Sequence, residues 1–203
     1  RKEEFAARLR QTTGVSAKKA AAEVAATIQR LFSYGAWADK YESTVHSPAM
    51  RGVTLAMKEA LGTIGIACPD ENPLLSMVSL AAPALAMGNR IVLIPSERHP
   101  LTSTDFYQIL ETSDVPGGAF NIVTGHRDDL AKTLAAHDDV KSVWYFGPLE
   151  GSRIVETTSS GNMKRTWVNN GRQRNWFDRR QGEGREFLHQ ATQVKNIWIP
   201  YGD

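Results

Sequence analysis

The chain has 203 residues, 41% of them hydrophobic and 23% charged, with 16 glycines, 9 prolines and a net charge of +2. That composition excludes disordered, collagen-like and disulfide-scaffold classes, and a globular chain of this size buries roughly 70% of its unfolded surface. The charge is too small to imply a nucleic-acid or membrane partner by itself.

The longest uncharged stretch, 72–89, is apolar but is interrupted by Pro73, Ser76, Ser79 and Pro83, which leaves it too short and broken for a membrane span. The chain opens Arg1-Lys2-Glu3-Glu4 with no apolar signal-peptide region, and the missing initial Met suggests a domain cut from a longer polypeptide. Its one cysteine, Cys68, excludes intrachain disulfides and fits a reducing, cytoplasmic compartment.

Residues 2–31 read as helical, because Ala, Glu, Lys and Arg dominate and Val24, Ile28 and Leu31 recur at helical spacing. Gly14 is expected to split this run, with Ser16 capping the second helix. A third helical stretch is expected over 28–41, carrying Phe32, Tyr34 and Trp37. From residue 62 the texture changes. Short apolar or β-branched runs at 62–67, 90–94, 120–123, 142–146 and 165–168 alternate with longer amphipathic ones at 74–86, 102–111, 128–136 and 150–159. That alternation predicts an α/β fold of right-handed crossovers, a five-stranded parallel sheet with helices on both faces. Residues 169–186, rich in Gly, Arg and Asn, are expected to form an exposed loop. Residues 192–200 alternate around Val194, Ile197 and Ile199 and are expected to form a last strand, free to pair with an edge elsewhere or on another subunit.

Few side chains stand out as chemistry. Cys68 lies beside Pro69, Asp70 and Glu71, an acidic setting that does not depress a thiol pKa. The five histidines, His46, His99, His126, His137 and His189, show no zinc-ligand spacing. Ser159 and Ser160 before Gly161 do not make a nucleophile elbow. The pairs Asp128-Asp129 and Asp138-Asp139 fit helix starts and turns. Residues 161–186 hold Lys164, Arg165, Arg172, Arg174, Arg179, Arg180 and Arg185 against three acids, with Trp176 and Phe177 between them. Such a stretch can bind nucleic acid by phosphate contact and stacking, or it can form an interface loop.

Four ordered segments resemble the aldehyde dehydrogenase superfamily: 35–40 (GAWADK), 83–97 (PALAMGNRIVLIPSE), 114–125 (DVPGGAFNIVTG) and 192–199 (TQVKNIWI). The closest likeness is to the C-terminal, non-catalytic domain of two-domain family-16 aldehyde dehydrogenases. The resemblance implies a Rossmann-like, degenerate NAD-binding domain over 61–170, an N-terminal helical segment over 1–60, and a basic loop with a projecting oligomerisation strand over 171–203. It places Ser96, Glu97, Gly147 and Glu150 at the remnant of the cofactor site.

That family uses a cysteine nucleophile, a glutamate base and an amide at the oxyanion, on a catalytic domain inserted between the sheet and the terminal strand. Here only residues 169–191 fill that interval, so the catalytic domain is expected to be absent. Ile94 stands at the ribose-binding lysine, and Pro148 and Leu149 at the hydroxyl residues of the phosphate turn. Asn169 stands at the base, and Glu71 at the oxyanion amide. The resemblance therefore implies no catalytic residues and no cofactor in this chain, with NAD belonging to the parent enzyme. Its expected partners are a catalytic domain of the same polypeptide and a second copy in a homodimer, through Trp176, Phe177, Arg179, Arg180, Val194, Ile197 and Trp198. No nucleic-acid or membrane partner is expected. The alternatives are a regulatory module that holds NAD without reacting it, a working enzyme using Cys68, and nucleic-acid binding through the basic loop 164–185.

Overall fold

The computed structural model describes residues 1–49 and 51–201. Two N-terminal helices open the chain, α1 (Lys2–Thr13) and α2 (Ala17–Trp37). Gly14 ends α1 at φ 72°, a left-handed cap that suits glycine, and the Ser16 side chain accepts from the Lys19 amide to start α2. The expected third helix over 28–41 does not form. Its residues up to Trp37 continue α2 without interruption, since nothing between Ile28 and Trp37 breaks the backbone ladder.

The strands β1 (Thr44–His46) and β2 (Gly52–Ala60) follow, where the sequence reading placed only the tail of a helical segment. Val53, Leu55 and Met57 alternate with Thr54, Ala56 and Lys58, a period-2 signal carried by residue types that also favour helices. β2 pairs antiparallel with β1 and, along nine residues, with β8 (Thr192–Pro200), which makes a separate three-stranded sheet. β8 is exposed at every residue after Thr192, and its outer edge has no partner among the described residues.

The main sheet contains β3 (Thr63–Ala67), β4 (Arg90–Ile94), β5 (Phe120–Ile122), β6 (Val140–Tyr145) and β7 (Arg165–Val168). All are parallel, in the order β5-β4-β3-β6-β7. Helix α3 (Pro73–Ala86) links β3 to β4, and α6 (Arg127–Ala136) and α7 (Leu149–Ser159) make the later crossovers. The helix expected over 102–111 is two short ones, α4 (Leu101–Asp105) and α5 (Tyr107–Glu111), divided at Phe106, whose ring turns into the core against Phe5 and Phe120. Strand alternation sends Ile64, Ile66, Ile91, Leu93, Trp144 and Phe146 to the face covered by α1, α2 and α3. It sends Ala67, Ile94, Val143 and Tyr145 to the face covered by α6 and α7.

Residues 169–191 are not a free loop. They contain α8 (Arg179–Gly182) and α9 (Arg185–Gln190) and run back across the sheet as a strap. Trp176 is 1% exposed, its ring 5.6 Å from that of Phe146, and Phe187 packs on Trp167 at 5.2 Å. The Arg174 guanidinium lies over Phe146, Trp167 and Phe187 and pairs with Glu186 at 2.9 Å. The buried Arg30 of α2 donates to the Trp176 carbonyl at 3.0 Å and sits 3.4 Å from the Glu183 carboxylate. Asn89 then holds the return into β8, donating to the carbonyls of Ala84 and Ala191.

Candidate functional site

In a doubly wound sheet the strand order reverses at one point, and the loops that leave the strands there part to open a crevice at their carboxyl ends. Here the order reverses between β3 and β6. The crevice is a cleft of about 280 Å³ lined by Pro69, Asp70 and Glu71 after β3, Arg98 after β4, and Arg127 at the start of α6. Phe146, Gly147 and Pro148 after β6, and Asn169, Gly171, Arg172 and Gln173 after β7, complete it.

Asp70 organises this end of the sheet. Its Oδ1 accepts from the Ser96 hydroxyl at 2.7 Å, while its Oδ2 lies 3.5 Å from Arg127 and 3.9 Å from Arg98. Burial by itself would lift the Asp70 carboxyl, but the Ser96 hydroxyl, the Arg127 guanidinium and the Arg98 amide together hold it below the usual carboxylate range. Arg127 also donates to the Cys68 carbonyl at 3.3 Å. Glu97 accepts from the Arg127 amide and faces the His126 ring at 3.1 Å, and these two contacts keep its carboxyl low.

The turn from β6 into α7 is closed by its own chain. Asn169 Oδ1 accepts the Gly147 amide at 3.0 Å, and the Asn170 amide donates to Ser152 Oγ at 3.2 Å. The Gly171 backbone lies against the Leu149 amide, close enough that a Cβ on Gly171 would sit 3.3 Å from that nitrogen. Tyr145 fills the hollow under the turn, where its hydroxyl donates to Asp128. A Cβ on Gly151 would meet that hydroxyl at 1.9 Å, so only glycine fits there. Burial, then the hydrogen bond to Asp128, pushes the Tyr145 phenol well above its ordinary pKa and keeps it a neutral donor.

Of the cofactor residues expected from sequence, Gly147 lines the cleft. Ser96 is buried behind it and spent on Asp70 and the His99 amide. Glu97 is bound to α6, and Glu150 points to solvent in the first turn of α7. Cys68 is 0% exposed and outside the cleft lining, and burial raises its thiol pKa far above the reactive range. Of the charged residues that shape the cleft, Arg98 and Arg127 escaped the sequence reading, while Asp70 entered it only as a neighbour of Cys68 and Arg172 only as part of the basic stretch. Between 28 and 102 residues apart along the chain, they carry no local spacing signal, and only the strand order brings them together.

Of the interface residues expected from sequence, Trp176 is corrected: it is internal, anchoring the strap. Phe177 is 44% exposed, and Arg179 and Arg180 face solvent, with Arg179 3.8 Å from Glu183. Val194, Ile197 and Trp198 lie exposed on β8. The basic stretch is largely consumed internally. Lys164 donates to the Leu134 and His137 carbonyls, Arg165 to those of His189 and Thr192, and Arg185 stacks on Trp37.

Beside the cleft, the N-terminus of α3 is capped from a distance. Glu23, 3% exposed on α2, accepts from the Leu74 and Leu75 amides at 3.0 and 3.2 Å. Burial raises its carboxyl pKa despite these bonds. A folded-state pKa above the unfolded one means that the native state binds more protons, so this contribution is fully present below the unfolded value and lost as pH rises through the folded value. Glu23→Gln keeps an acceptor for the amides and removes the titration. Its melting temperature should gain on the parent's as pH is raised from 4 to 8; parallel melting curves across that range would refute the assignment.

A model of the aldehyde dehydrogenase family matches residues 1–176. The chain is 29% identical over 134 residues to the NADP/NAD-dependent aldehyde dehydrogenase PuuC of Escherichia coli, covering 66% of this chain and 27% of that one. It is 34% identical over 133 residues to a betaine aldehyde dehydrogenase of Bacillus subtilis, covering 65% and 27%. Among solved structures, PnpE from Pseudomonas sp. WBC-3, also solved with nicotinamide adenine dinucleotide, superposes with a TM-score of 0.79 at 27% identity, over 82% of this chain and 34% of that one. The chain thus spans about a third or less of the length of these relatives. With the parallel sheet, the crossover order and the family match in agreement, the chain belongs to the aldehyde dehydrogenase family.

Proposed function

We propose that this chain is a non-catalytic aldehyde dehydrogenase-like domain that gives structural and assembly support to an NAD-dependent aldehyde dehydrogenase of which it is the C-terminal part. The observation that carries this reading is the strap. Between β7 and β8, where the resemblance calls for a cysteine-bearing domain, residues 169–191 cross the sheet and seal it with Trp176 and Phe187. The only thiol is buried and held protonated, and the residue at the base position, Asn169, is an amide already donating to the Arg172 carbonyl. No group in the cleft supplies a nucleophile for an aldehyde.

The residues present do not fit the dinucleotide as the resemblance would have it. A pyrophosphate sits on free amides at a helix N-terminus. Here Pro148 has no amide, Gly147 donates to Asn169, and Gly171 covers Leu149, which leaves only the Glu150 and Gly151 amides of this helix start uncommitted. That weighs against a regulatory NAD module. The internal use of Lys164, Arg165, Arg174 and Arg185 weighs against a nucleic-acid surface. No helix among the described residues is long and apolar enough to cross a membrane.

The partner surface in this reading is β8 with its free edge, where Val194, Ile197 and Trp198 stand exposed beside an unpaired ladder of backbone groups. Two measurements test the proposal. The purified chain, mixed with a series of aldehydes and oxidised NAD, should produce no NADH; reproducible turnover would overturn the non-catalytic assignment. In the full-length protein, Val194→Glu with Trp198→Glu should lower the assembly mass seen by light scattering. Both side chains face solvent within the chain, so an unchanged mass would remove β8 from the interface.

A further inference from the structure

The cleft has a charge pattern that the loss of catalysis does not explain. Three guanidiniums, Arg98, Arg127 and Arg172, line it against two carboxylates, Asp70 and Glu71, leaving one positive charge in surplus. Arg98 and Arg127 converge on a single Asp70 oxygen, at 3.9 and 3.5 Å, so the acid aims both cations at the same place. Arg127 is 8% exposed; its Nε lies 3.8 Å from the nearest carboxylate oxygen, on Asp128, and its guanidinium faces the Tyr145 ring. That nitrogen lies behind Gly147 of the cleft wall, beside the Tyr145 hydroxyl: a Cβ on Gly147 would be 2.5 Å from that hydroxyl and 2.9 Å from the nitrogen. Held by the Cys68 carbonyl, Asp70 and the Tyr145 ring, the Arg127 guanidinium is fixed at the cleft wall before any ligand arrives. Across the opening, the Arg172 side chain makes no ion pair among the described residues, while its backbone is fixed by two bonds to Asn169, at 3.0 and 2.9 Å.

We propose that this cleft binds a compact phosphate-bearing anion, of the phosphomonoester class, held between Arg127, Arg98 and Arg172. Guanidinium forks match the oxygens of phosphate, and three forks approaching from different strand ends suit a tetrahedral oxyanion better than a planar carboxylate, which one fork already satisfies. At about 280 Å³ the cleft lies at the small end of ligand pockets, below the range that accommodates large ligands. The site does not depend on the non-catalytic reading, since it uses no reacting group and is measured by binding alone.

The test is calorimetric titration of the purified chain, at low salt, with inorganic phosphate, phenyl phosphate, acetate and NAD. Saturable binding of phosphate and phenyl phosphate is expected, with acetate at least tenfold weaker. Arg172→Gln and Arg98→Gln alter exposed side chains, so the fold survives, and each should weaken phosphate binding about tenfold by removing a charge-assisted contact. Arg127→Gln should abolish it, with circular dichroism confirming that the variant is folded. Absence of saturable heat with phosphate, affinity unchanged in both exposed-arginine variants, or acetate binding as tightly as phosphate would overturn the site. NAD displacing phosphate with the tighter affinity would also overturn it, in favour of a dinucleotide site.

Discussion

Trp176→Ala is expected to destabilise the chain by about 3–5 kcal/mol, the cost of truncating a fully buried aromatic. Domains of this size lose roughly 2–4 °C of melting temperature per kcal/mol, so the transition should fall by about 6–20 °C. The argument rests on what the ring touches. Trp176 is 1% exposed and lies 5.6 Å from Phe146, which packs edge-on to Trp167 at 5.0 Å; Trp167 in turn meets Trp144 at 5.0 Å and Phe187 at 5.2 Å. Removing one member leaves a cavity among rigid planar neighbours that cannot collapse to fill it. If the strap were a solvated loop, as its Gly- and Arg-rich composition suggests, the same substitution would shift the melt by no more than a surface change does, within about 0.5 kcal/mol. Thermal denaturation followed by near-ultraviolet circular dichroism decides between these outcomes, because it reads the aromatic cluster itself.

Much of the architecture was legible because it is written locally. Ser16 and Gly14 punctuate the first helices with their side chain and their conformational freedom, and both act within four residues of where they stand. The apolar runs of β3, β4 and β6 are short and bounded by turn residues, which is what a strand buried on both faces looks like in sequence. β2 was missed for a physical reason. Its Ala, Met, Lys and Glu are good helix formers, and it becomes a strand only because β8, more than a hundred residues later, supplies nine ladder partners. The strap was misread for the same kind of reason. Arg174 reads as a surface charge until three aromatic faces and Glu186 surround it, and Trp176 reads as an interface anchor until Phe146 is placed beneath it. The cleft lies at the far end of this scale. Arg127 sits 57 residues from Asp70 and 45 from Arg172 in the chain, and their encounter is a property of the strand order alone.

Gly182→Ala should cost about as much as overpacking a rigid core, roughly 3 kcal/mol, although it adds a single methyl group at the end of a four-residue helix. A Cβ there would lie 2.3 Å from the Trp176 carbonyl oxygen and 2.9 Å from its carbon, with Arg30 Nη1 at 3.0 Å on another side. The first two atoms are backbone, so relief requires moving the segment that carries Trp176, and moving it stretches the 3.0 Å bond from Arg30 to that carbonyl. The clash and the hydrogen bond are therefore coupled, which a thermodynamic cycle can read. Arg30→Ala in the parent strips a buried carbonyl of its donor and leaves Glu183 with a single guanidinium, the exposed one of Arg179 at 3.8 Å, a loss of about 3 kcal/mol for a buried pair broken on one side. In the Gly182→Ala background part of that loss has already been taken. The double variant should therefore be more stable than the sum of the single effects predicts, by at least about 0.5 kcal/mol, the threshold at which neighbouring sites stop behaving independently. Strict additivity in denaturant melts would mean that the methyl group is accommodated without displacing the Trp176 carbonyl, and the close packing of the strap on α2 would then have to be abandoned.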